Sequence, residues 1–188
     1  MKIYLASKSP RRQQLLQQIS VEFEIIDTDI NEHWDGKELP RTYVERVALE
    51  KAQAAKSKIN TGQPFVIIGA DTSVVLDDVV LGKAENNEQA MIMLTQLSGR
   101  MHYVYSSVAV VSNSSEKIKT SISRVYFKTL GKPEIEIYCK TGEPIGKAGG
   151  YAIQGRAAAF VERLDGSYTG VMGLPLYETT ELLYQARI

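Results

Sequence analysis

The sequence has one cysteine, Cys139, and no long hydrophobic run. A single cysteine excludes an internal disulfide framework and a zinc site built from cysteines, and it fits a reducing cytosol. No stretch approaches the roughly 18 uninterrupted apolar residues of a membrane span, and the apolar run in the opening MKIYLAS is too short for a signal peptide. These absences predict a soluble, cytoplasmic protein with no membrane partner, in which Cys139 is a small apolar residue.

Net charge is also absent, because 22 acidic residues balance 22 basic ones. Without a basic excess, we expect no nucleic-acid polymer as a partner, although a small anion can still be held locally. Hydrophobic residues make up 44% of the 188 positions, which is enough to bury a core without a metal or a disulfide. We expect a single, bilobed domain over residues 1–188.

The spacing of apolar residues predicts alternating strands and helices, and therefore an α/β fold. Strands are expected at 2–6, 21–26, 102–111, 118–129 and in AAFVERL, with two more inside 64–83 that turn at Asp77 and Asp78. Helices are expected from Ser9, from Pro40 to about Ser57, over 86–97, after Pro133 and from Pro175. Residues 27–39 are expected to form an acidic loop, and residues 146–155 a flexible, glycine-rich one.

Two arginines, Arg11 and Arg12, fall in the first turn of the helix that Ser9 caps and Pro10 begins. A helix N-terminus carries partial positive charge and unpaired N–H groups, so acidic residues are favoured there and arginines are not. An anionic ligand, most naturally a phosphate, would pair with both guanidinium groups and with these N–H groups. The alternative is that both arginines face solvent or reach acidic side chains elsewhere.

Two charged residues interrupt apolar patterns. Asp71 lies in FVIIGADTSVVL, which otherwise has the composition of a buried strand, and a carboxylate there is costly unless it is paired, hydrogen-bonded or bound to a metal. Gly69 and Ala70 before it are small enough to admit a close neighbour. Lys51 falls on the apolar face of the helix from Pro40. Asp71 could instead cap a turn at a strand end, and Lys51 could extend to the edge of the core rather than into an anion site.

Further charged residues lie in loops. Lys83 and Lys147 each follow a glycine, where an ammonium group can reach a phosphate. Glu32, together with Asp71, could hold a divalent metal through oxygen ligands, and the alternative is a solvated acidic loop. The sequence contains neither a P-loop nor a Gly-x-Gly-x-x-Gly dinucleotide fingerprint. Any bound phosphates would therefore be held by scattered Arg and Lys residues around a helix start.

Seven motifs follow one another along the chain: SKSPRR, EKA at 50–52, GADT, LGKA, LSGRMH, KAGGYAIQG and DGSYTGVMGLPL. In this order and spacing they closely resemble the Maf family over essentially the whole length. The resemblance implies an α/β fold of the Maf/ITPase-like kind, a mixed twisted sheet flanked by helices in two lobes with a cleft between them. It also implies a nucleoside triphosphate pyrophosphatase, which hydrolyses a nucleotide to its monophosphate and pyrophosphate with a divalent metal, Mg²⁺ or Mn²⁺.

Within the family, GADT and AIQG resemble the branch that acts on dTTP and UTP, whereas the branch that acts on 7-methyl-GTP typically has Ser-Asp-Gln and Ser-Glu-Gly there. By this resemblance Asp71 is the catalytic acidic residue and acts as a proton acceptor. Base specificity is set by Arg12, Thr72 and Gln154. The phosphate chain is expected at Ser7, Arg11, Arg12, Lys51, Lys83 and Lys147, and the metal at Glu32 and Asp71. Departures from the family pattern are Lys8 for a small residue, Ala84 for a proline, and Ser106-Ser107 for Thr-Gly.

Two alternatives to dTTP and UTP hydrolysis stay open at this point. The first is the same chemistry on 7-methyl-GTP or another modified nucleotide. The second is a non-catalytic, nucleotide-binding regulator, since the family has also been linked to arrest of cell division; the paired carboxylates, which a pure binder does not need, argue against it. A homodimer is expected by family analogy alone.

Overall fold

The computed structural model describes residues 1–186, which form seven strands and six α-helices. The strands are β1 Lys2–Leu5, β2 Glu24–Ile25, β3 Phe65–Leu76, β4 Val79–Leu81, β5 Met101–Ser112, β6 Glu116–Phe127 and β7 Val161–Asp165. The helices are α1 Pro10–Gln18, α2 Pro40–Lys56, α3 Asn87–Leu97, α4 Lys132–Cys139, α5 Tyr168–Met172 and α6 Leu176–Gln185, with a 3-10 helix at Arg156–Phe160.

All seven strands belong to one mixed sheet in the order β2-β1-β3-β5-β6-β7, with β4 paired to β3. The strand β1 runs parallel to β2 and β3, while β3, β5, β6 and β7 are successive antiparallel neighbours. The predicted α/β fold, a mixed sheet flanked by helices, is confirmed. Across residues 1–186 there is no helix with the length and apolar character that a membrane crossing requires.

Helices cover both faces of the sheet. One cluster packs α1 and α6 on Val66 and Ile68, whereas another packs α2 on Phe65 and Ile67. These β3 residues alternate along the strand, so the two clusters lie on opposite faces. A third cluster joins α3 and α4 to the far parts of β5 and β6 and includes Cys139, whose thiol is free and buried as expected of a small apolar residue.

One edge of β3 is paired at both ends but not in the middle. Residues 65–68 pair with β1 and residues 74–76 pair with β4, whereas β5 runs along the other edge. In the described part of the chain, residues 69–73 have no strand partner on the first edge. This gap lies beside the carboxyl end of β1, the place where open α/β sheets bind their ligands. Asp71 is at its centre.

Several predicted bounds were wrong. The expected strand at 21–26 is reduced to the two residues of β2, because Val21 and Phe23 pack against the α1–α6 cluster instead. The AAFVERL segment divides into the 3-10 helix and β7. Sequence reasoning missed α5, a five-residue helix whose cap, Ser167 Oγ, accepts a hydrogen bond from the Gly170 N–H at 3.0 Å.

The glycine-rich segment at 146–155 is packed rather than unsupported. Its backbone exchanges hydrogen bonds with the Lys83 region: Ala84 N–H donates to Lys147 O at 3.1 Å, and Gly146 N–H donates to Ala84 O at 2.8 Å. Gly149 has a φ of +65°, and a Cβ there would lie 2.9 Å from the Val74 side chain. These contacts join the loop that carries Lys83 to the loop that carries Lys147. They were not predicted from the sequence, which suggested a flexible loop.

Gly69 allows α2 to approach β3 closely. A Cβ at this position would overlap the carbonyl oxygen of Ala48 and would lie 2.8 Å from the backbone nitrogen of Ala52. The close neighbour anticipated from the small residues is therefore the backbone of α2. Because Lys51 is on the same turn of that helix, the approach brings it to the gap in the edge of β3.

Gly69→Ala is expected to destabilise the fold by about 3 kcal/mol, since the added methyl group has to displace backbone rather than a flexible side chain. For a chain of this size the loss corresponds to roughly 6–12 °C in Tm, which thermal unfolding followed by circular dichroism measures. Gly62→Ala is the control, because a Cβ there meets nothing within 4 Å. Equal Tm values for the two variants would contradict the close approach of α2.

Candidate active site

All of the site residues expected from the sequence line one cleft of about 720 Å³: Ser7, Arg11, Arg12, Glu32, Lys51, Asp71, Thr72, Lys83, Lys147 and Gln154. The volume is in the range of small-molecule sites. A neighbouring cavity of about 400 Å³ shares four of these residues, namely Glu32, Asp71, Thr72 and Lys83. The sequence places them on six separate segments, and the fold brings them together at the gap beside β1.

Asp71 is buried, with 5% of its surface exposed. The strand β3 continues through it to Leu76, so the alternative in which Asp71 caps a turn is wrong. Its Oδ1 accepts a hydrogen bond from Lys51 Nζ at 3.0 Å, and its Oδ2 accepts one from Ser73 Oγ at 3.4 Å. These partners offset the cost of burying a carboxylate.

Lys51 joins two carboxylates. Its Nζ lies 3.0 Å from Asp71 Oδ1 and 3.1 Å from Glu32 Oε1, and its side chain is 8% exposed. Lys83 Nζ lies 2.9 Å from Glu32 Oε2. Negative and positive groups therefore alternate along Asp71, Lys51, Glu32 and Lys83, in that order. The buried ammonium group of Lys51 therefore binds two carboxylates, so the alternative in which it extends to the edge of the core is wrong.

Two residues of α2 contact Glu32: Lys51 binds its carboxylate and Tyr43 binds its backbone carbonyl. Burial alone would raise its pKa, but the charges and hydrogen bonds of Lys51 and Lys83 bring the pKa below its ordinary value. The hydroxyl of Tyr43 donates to the backbone carbonyl of Glu32 at 2.6 Å. Sequence reasoning missed Tyr43, and its spacing of eight residues from Lys51, on one face of a helix, is the signal that could have found it.

The loop that carries Glu32 is tied to α2 at several other points. Arg46 binds the Glu38 carboxylate at 2.5 Å, and its guanidinium group also donates to His33 O at 3.4 Å. The alternative of a merely solvated acidic loop is therefore wrong for this part. Within residues 1–186 no three His, Cys, Asp or Glu residues group as metal ligands. A metal here would depend on Glu32 and Asp71 together with oxygen atoms of a ligand.

A second group of residues that line the cleft is cationic. Arg12 Nε donates to Gly173 O at 2.9 Å, and its NH1 group donates to Ser7 Oγ at 3.2 Å. Burial lowers the pKa of Arg12, while the charges of Asp71 and Glu32 act in the opposite direction. Burial, together with the charge of Arg12, also lowers the pKa of Arg11.

Lys147 belongs to the same cationic group. Burial and the charge of Arg11 lower its pKa, and Glu143 opposes them. Cationic groups that depress one another's pKa gain when an anion is placed between them. This supports the anion interpretation of the two arginines at the start of α1.

A third region of the cleft is less charged. Its apolar lining comes from Val74, Val104, Tyr151 and Met172. The Tyr151 hydroxyl is 2.8 Å from Nε2 of His102, whose pKa burial lowers to about 3, so the imidazole is neutral at physiological pH. His102 is a buried structural histidine that supports Tyr151 from behind.

The polar groups of that region are Thr72 and Gln154. Thr72 Oγ1 is 2.8 Å from Ser106 Oγ, on the neighbouring strand β5. The Gln154 side chain is exposed to the cleft, in the turn before the 3-10 helix. An apolar lining with a few fixed polar groups suits a planar, hydrogen-bonding ring such as a nucleobase.

Replacing Glu32 by Gln is expected to reduce stability at neutral pH but not in acid. Because the pKa of Glu32 is lowered in the folded protein, its charge contributes stability above the ordinary value of 4.5, and this contribution is lost as the pH falls through the folded pKa. Urea unfolding of both proteins at several pH values between about 7 and about 3 measures the difference. The exposed Glu162→Gln is the control, and a difference for Glu32→Gln that stays constant into acid would contradict the two lysine contacts.

Comparison with known proteins agrees with the geometry. The model of a family described as Maf-like protein matches residues 2–186. The dTTP/UTP pyrophosphatase of Xanthomonas axonopodis pv. citri is 47% identical over 96% of each chain, and that of Alkalilimnicola ehrlichii is 48% identical over 99% of this chain and 93% of its own. Among solved structures, the Staphylococcus aureus Ham1 protein is 16% identical over 68% of this chain and 72% of that one, with a TM-score of 0.47. From the family match and the identity to these relatives, the chain belongs to the Maf family.

Proposed function

We propose that this protein hydrolyses dTTP and UTP to the nucleoside monophosphate and pyrophosphate. The observation that carries the proposal is the buried Asp71, held by Lys51 in a cleft that Arg11, Arg12 and Lys147 also line. The name of the two relatives given above, dTTP/UTP pyrophosphatase, supports the choice of nucleotide. The cationic group suits the phosphate chain and the apolar region suits the base.

The phosphate chain would bind at the cationic group. Burial and the charge of Arg11 lower the pKa of Lys147, and a phosphate between the two groups would offset that repulsion. Ser7 and the backbone N–H groups at the start of α1 add hydrogen-bond donors. Lys83, whose side chain is 62% exposed, can move from Glu32 toward a phosphate, whereas the buried Lys51 keeps its carboxylate partners.

The reaction needs a water molecule aligned on the α-phosphorus and neutralisation of the charge that develops on the departing pyrophosphate. Asp71 would orient this water and accept its proton, because it is the carboxylate at the centre of the gap in β3. Lys51 fixes the Asp71 side chain by the contact at 3.0 Å, which keeps the accepting oxygen in one position. Lys83 and Lys147 would supply positive charge to the leaving group, while Arg11 would hold the phosphate chain.

Glu32 and Asp71 fit a divalent cation of the hard type. Two carboxylates completed by phosphate and water oxygens are the donor set that Mg²⁺ ordinarily takes, and Mn²⁺ accepts the same ligands. When bound, such a cation would neutralise negative charge on the phosphate chain. Tyr43 and Lys51 would hold the Glu32 carboxylate at its position for this purpose.

Base specificity is proposed to reside in Thr72, Gln154 and Arg12. The imide edge of uracil and thymine has the pattern acceptor, donor, acceptor, and the hydroxyl of Thr72 and the amide of Gln154 can each donate and accept. Arg12, which is held by its contacts with Ser7 and Gly173, would lie between the base and the phosphates. A cytoplasmic location, the lack of a nucleic-acid polymer as a partner and a homodimer stay predictions.

Asp71→Asn is expected to lower turnover of dTTP and UTP by at least about 100-fold, since the amide cannot accept the proton. Pyrophosphate release from dTTP, UTP, CTP, GTP and 7-methyl-GTP, with Mg²⁺, with Mn²⁺ and with chelator, measures it. Asp29→Asn, an exposed carboxylate of the same loop region as Glu32, is the control. Preferred turnover of 7-methyl-GTP would indicate the other branch, and nucleotide binding without any turnover would indicate the regulator.

Arg11→Gln is expected to raise KM for UTP roughly 10–100-fold with a smaller change in kcat, because a charge-assisted hydrogen bond to the bound phosphate is lost. Steady-state kinetics at two salt concentrations measure the effect. Lys140→Gln makes the same change of charge at an exposed position outside the cleft and should leave KM unchanged. An unchanged KM in Arg11→Gln would place the phosphate chain elsewhere.

A further inference from the structure

Gln154 lies in a short turn at the wall of the cleft. The Gly155 N–H donates to Ala152 O at 3.0 Å, which closes the turn over residues 152–155 and leaves the Gln154 side chain exposed to the cleft. Surface turns of this kind are mobile unless other contacts hold their ends. Two side chains from outside the turn make such contacts.

Glu143 holds the end of the turn that leads into the 3-10 helix. Its Oε2 accepts a hydrogen bond from the Arg156 N–H at 3.0 Å, and its Oε1 accepts a longer one from the Ala157 N–H at 3.5 Å. A Cβ at Gly155 would overlap the Glu143 carboxylate, so this approach requires a glycine there. Glu143 is half-buried and lines the cleft.

Tyr138 holds the other end of the turn. Its hydroxyl accepts a hydrogen bond from the Ala152 N–H at 3.3 Å and donates one to Glu143 Oε1 at 2.9 Å. The direction of both bonds is fixed, because a backbone N–H can only donate and a carboxylate can only accept. Burial and the bond to Glu143 raise the pKa of Tyr138, so its hydroxyl keeps the proton that it donates. A continuous chain of hydrogen bonds therefore runs from Ala152 to Arg156.

We propose that Glu143 is a positioning residue for base recognition: together with Tyr138 it clamps both ends of the turn and so holds Gln154 at the edge of the base. The inference rests on the proposed function, in which Gln154 binds the imide edge of uracil or thymine. A carboxylate suits this place, since the three hydrogen-bond partners of its two oxygens are all donors. In Glu143→Gln the amide NH2 group would face at least one of these donors, and one end of the turn would be released.

The clamp matters for specificity because Gln154 can discriminate only while its amide reaches the base. Uracil and thymine carry an accepting oxygen at the 4-position, whereas cytosine carries an amino group that donates. The contacts made to the imide edge are therefore not made in the same way to cytosine. Release of the turn weakens them and should cost UTP more than CTP.

The charge of Glu143 offers a different explanation for any effect of its replacement. This charge opposes the lowering of the Lys147 pKa, so its loss would reach the phosphate chain. The phosphate chain is the same in every nucleotide, and such an effect would change UTP and CTP alike. Tyr138→Phe separates the two explanations, because it breaks the clamp and keeps the charge of Glu143.

The test is the ratio of kcat/KM for UTP to kcat/KM for CTP in wild type, Glu143→Gln, Tyr138→Phe, Gln154→Ala and the double variant of Glu143→Gln with Gln154→Ala. In Glu143→Gln and in Tyr138→Phe the value for UTP is expected to fall about tenfold and that for CTP less than about threefold, so the ratio falls. The double variant should have the ratio of Gln154→Ala alone, because the clamp acts through Gln154. Glu136→Gln, which makes the same change on α4 outside the cleft, is the control and should keep the wild-type ratio.

A wild-type ratio in either Glu143→Gln or Tyr138→Phe, while Gln154→Ala lowers it, would overturn the inference and leave the proposed function in place. A double variant whose ratio falls below that of Gln154→Ala would overturn it equally. If Glu143→Gln does not fold, Tyr138→Phe decides by itself. If wild type hydrolyses neither UTP nor dTTP, or if Gln154→Ala keeps the wild-type ratio, the proposed function or its assignment of Gln154 fails, and the inference fails with it.

Discussion

The site depends on one buried ammonium group, that of Lys51, which holds Asp71 and Glu32 side by side. Without this cation the two carboxylates would repel each other, and the buried Asp71 would lose the contact that offsets its desolvation. The position of Lys51 in turn requires that α2 lie against β3, which Gly69 permits because it has no side chain. It also requires that the acidic loop fold back onto α2, where Tyr43 and Arg46 hold it.

The cleft holds both paired carboxylates and a group of cations. Asp71 and Glu32 are paired with lysines, whereas burial and the charge of Arg12 lower the pKa of Arg11, and burial and the charge of Arg11 lower that of Lys147. A chain with zero net charge can thus offer a locally cationic surface, and in the proposed function this surface would bind the triphosphate while Asp71 would lie beside the phosphorus under attack. The gap in β3 places that carboxylate where backbone pairing does not cover it.

The residues that could be predicted from the sequence are those that violate a local rule. Arginines at a helix start, a carboxylate in an apolar strand and a lysine on an apolar helix face each cost free energy unless something else compensates, and all three line the cleft. Tyr43 and Ser106 violate no such rule, since a tyrosine on a helix and a serine in a strand are ordinary. Their partners, the carbonyl of Glu32 and the hydroxyl of Thr72, come from distant segments, so these two hydrogen bonds could not be predicted, although the helical spacing of Tyr43 from Lys51 places it on the same face. The short β2 and the unpredicted α5 likewise reflect packing that overrides local preference.

The most direct measurement is a double-mutant cycle on Lys51 and Asp71, with Lys51→Met, Asp71→Asn and the double variant compared with wild type by urea unfolding. Lys51→Met should lose about 3 kcal/mol or more, because it leaves two partly or fully buried carboxylates without their shared cation. The double variant should lose less than the sum of the single losses, by an interaction energy of about 1–3 kcal/mol. Losses that add to within about 0.5 kcal/mol would contradict the claim that Lys51 holds the site together.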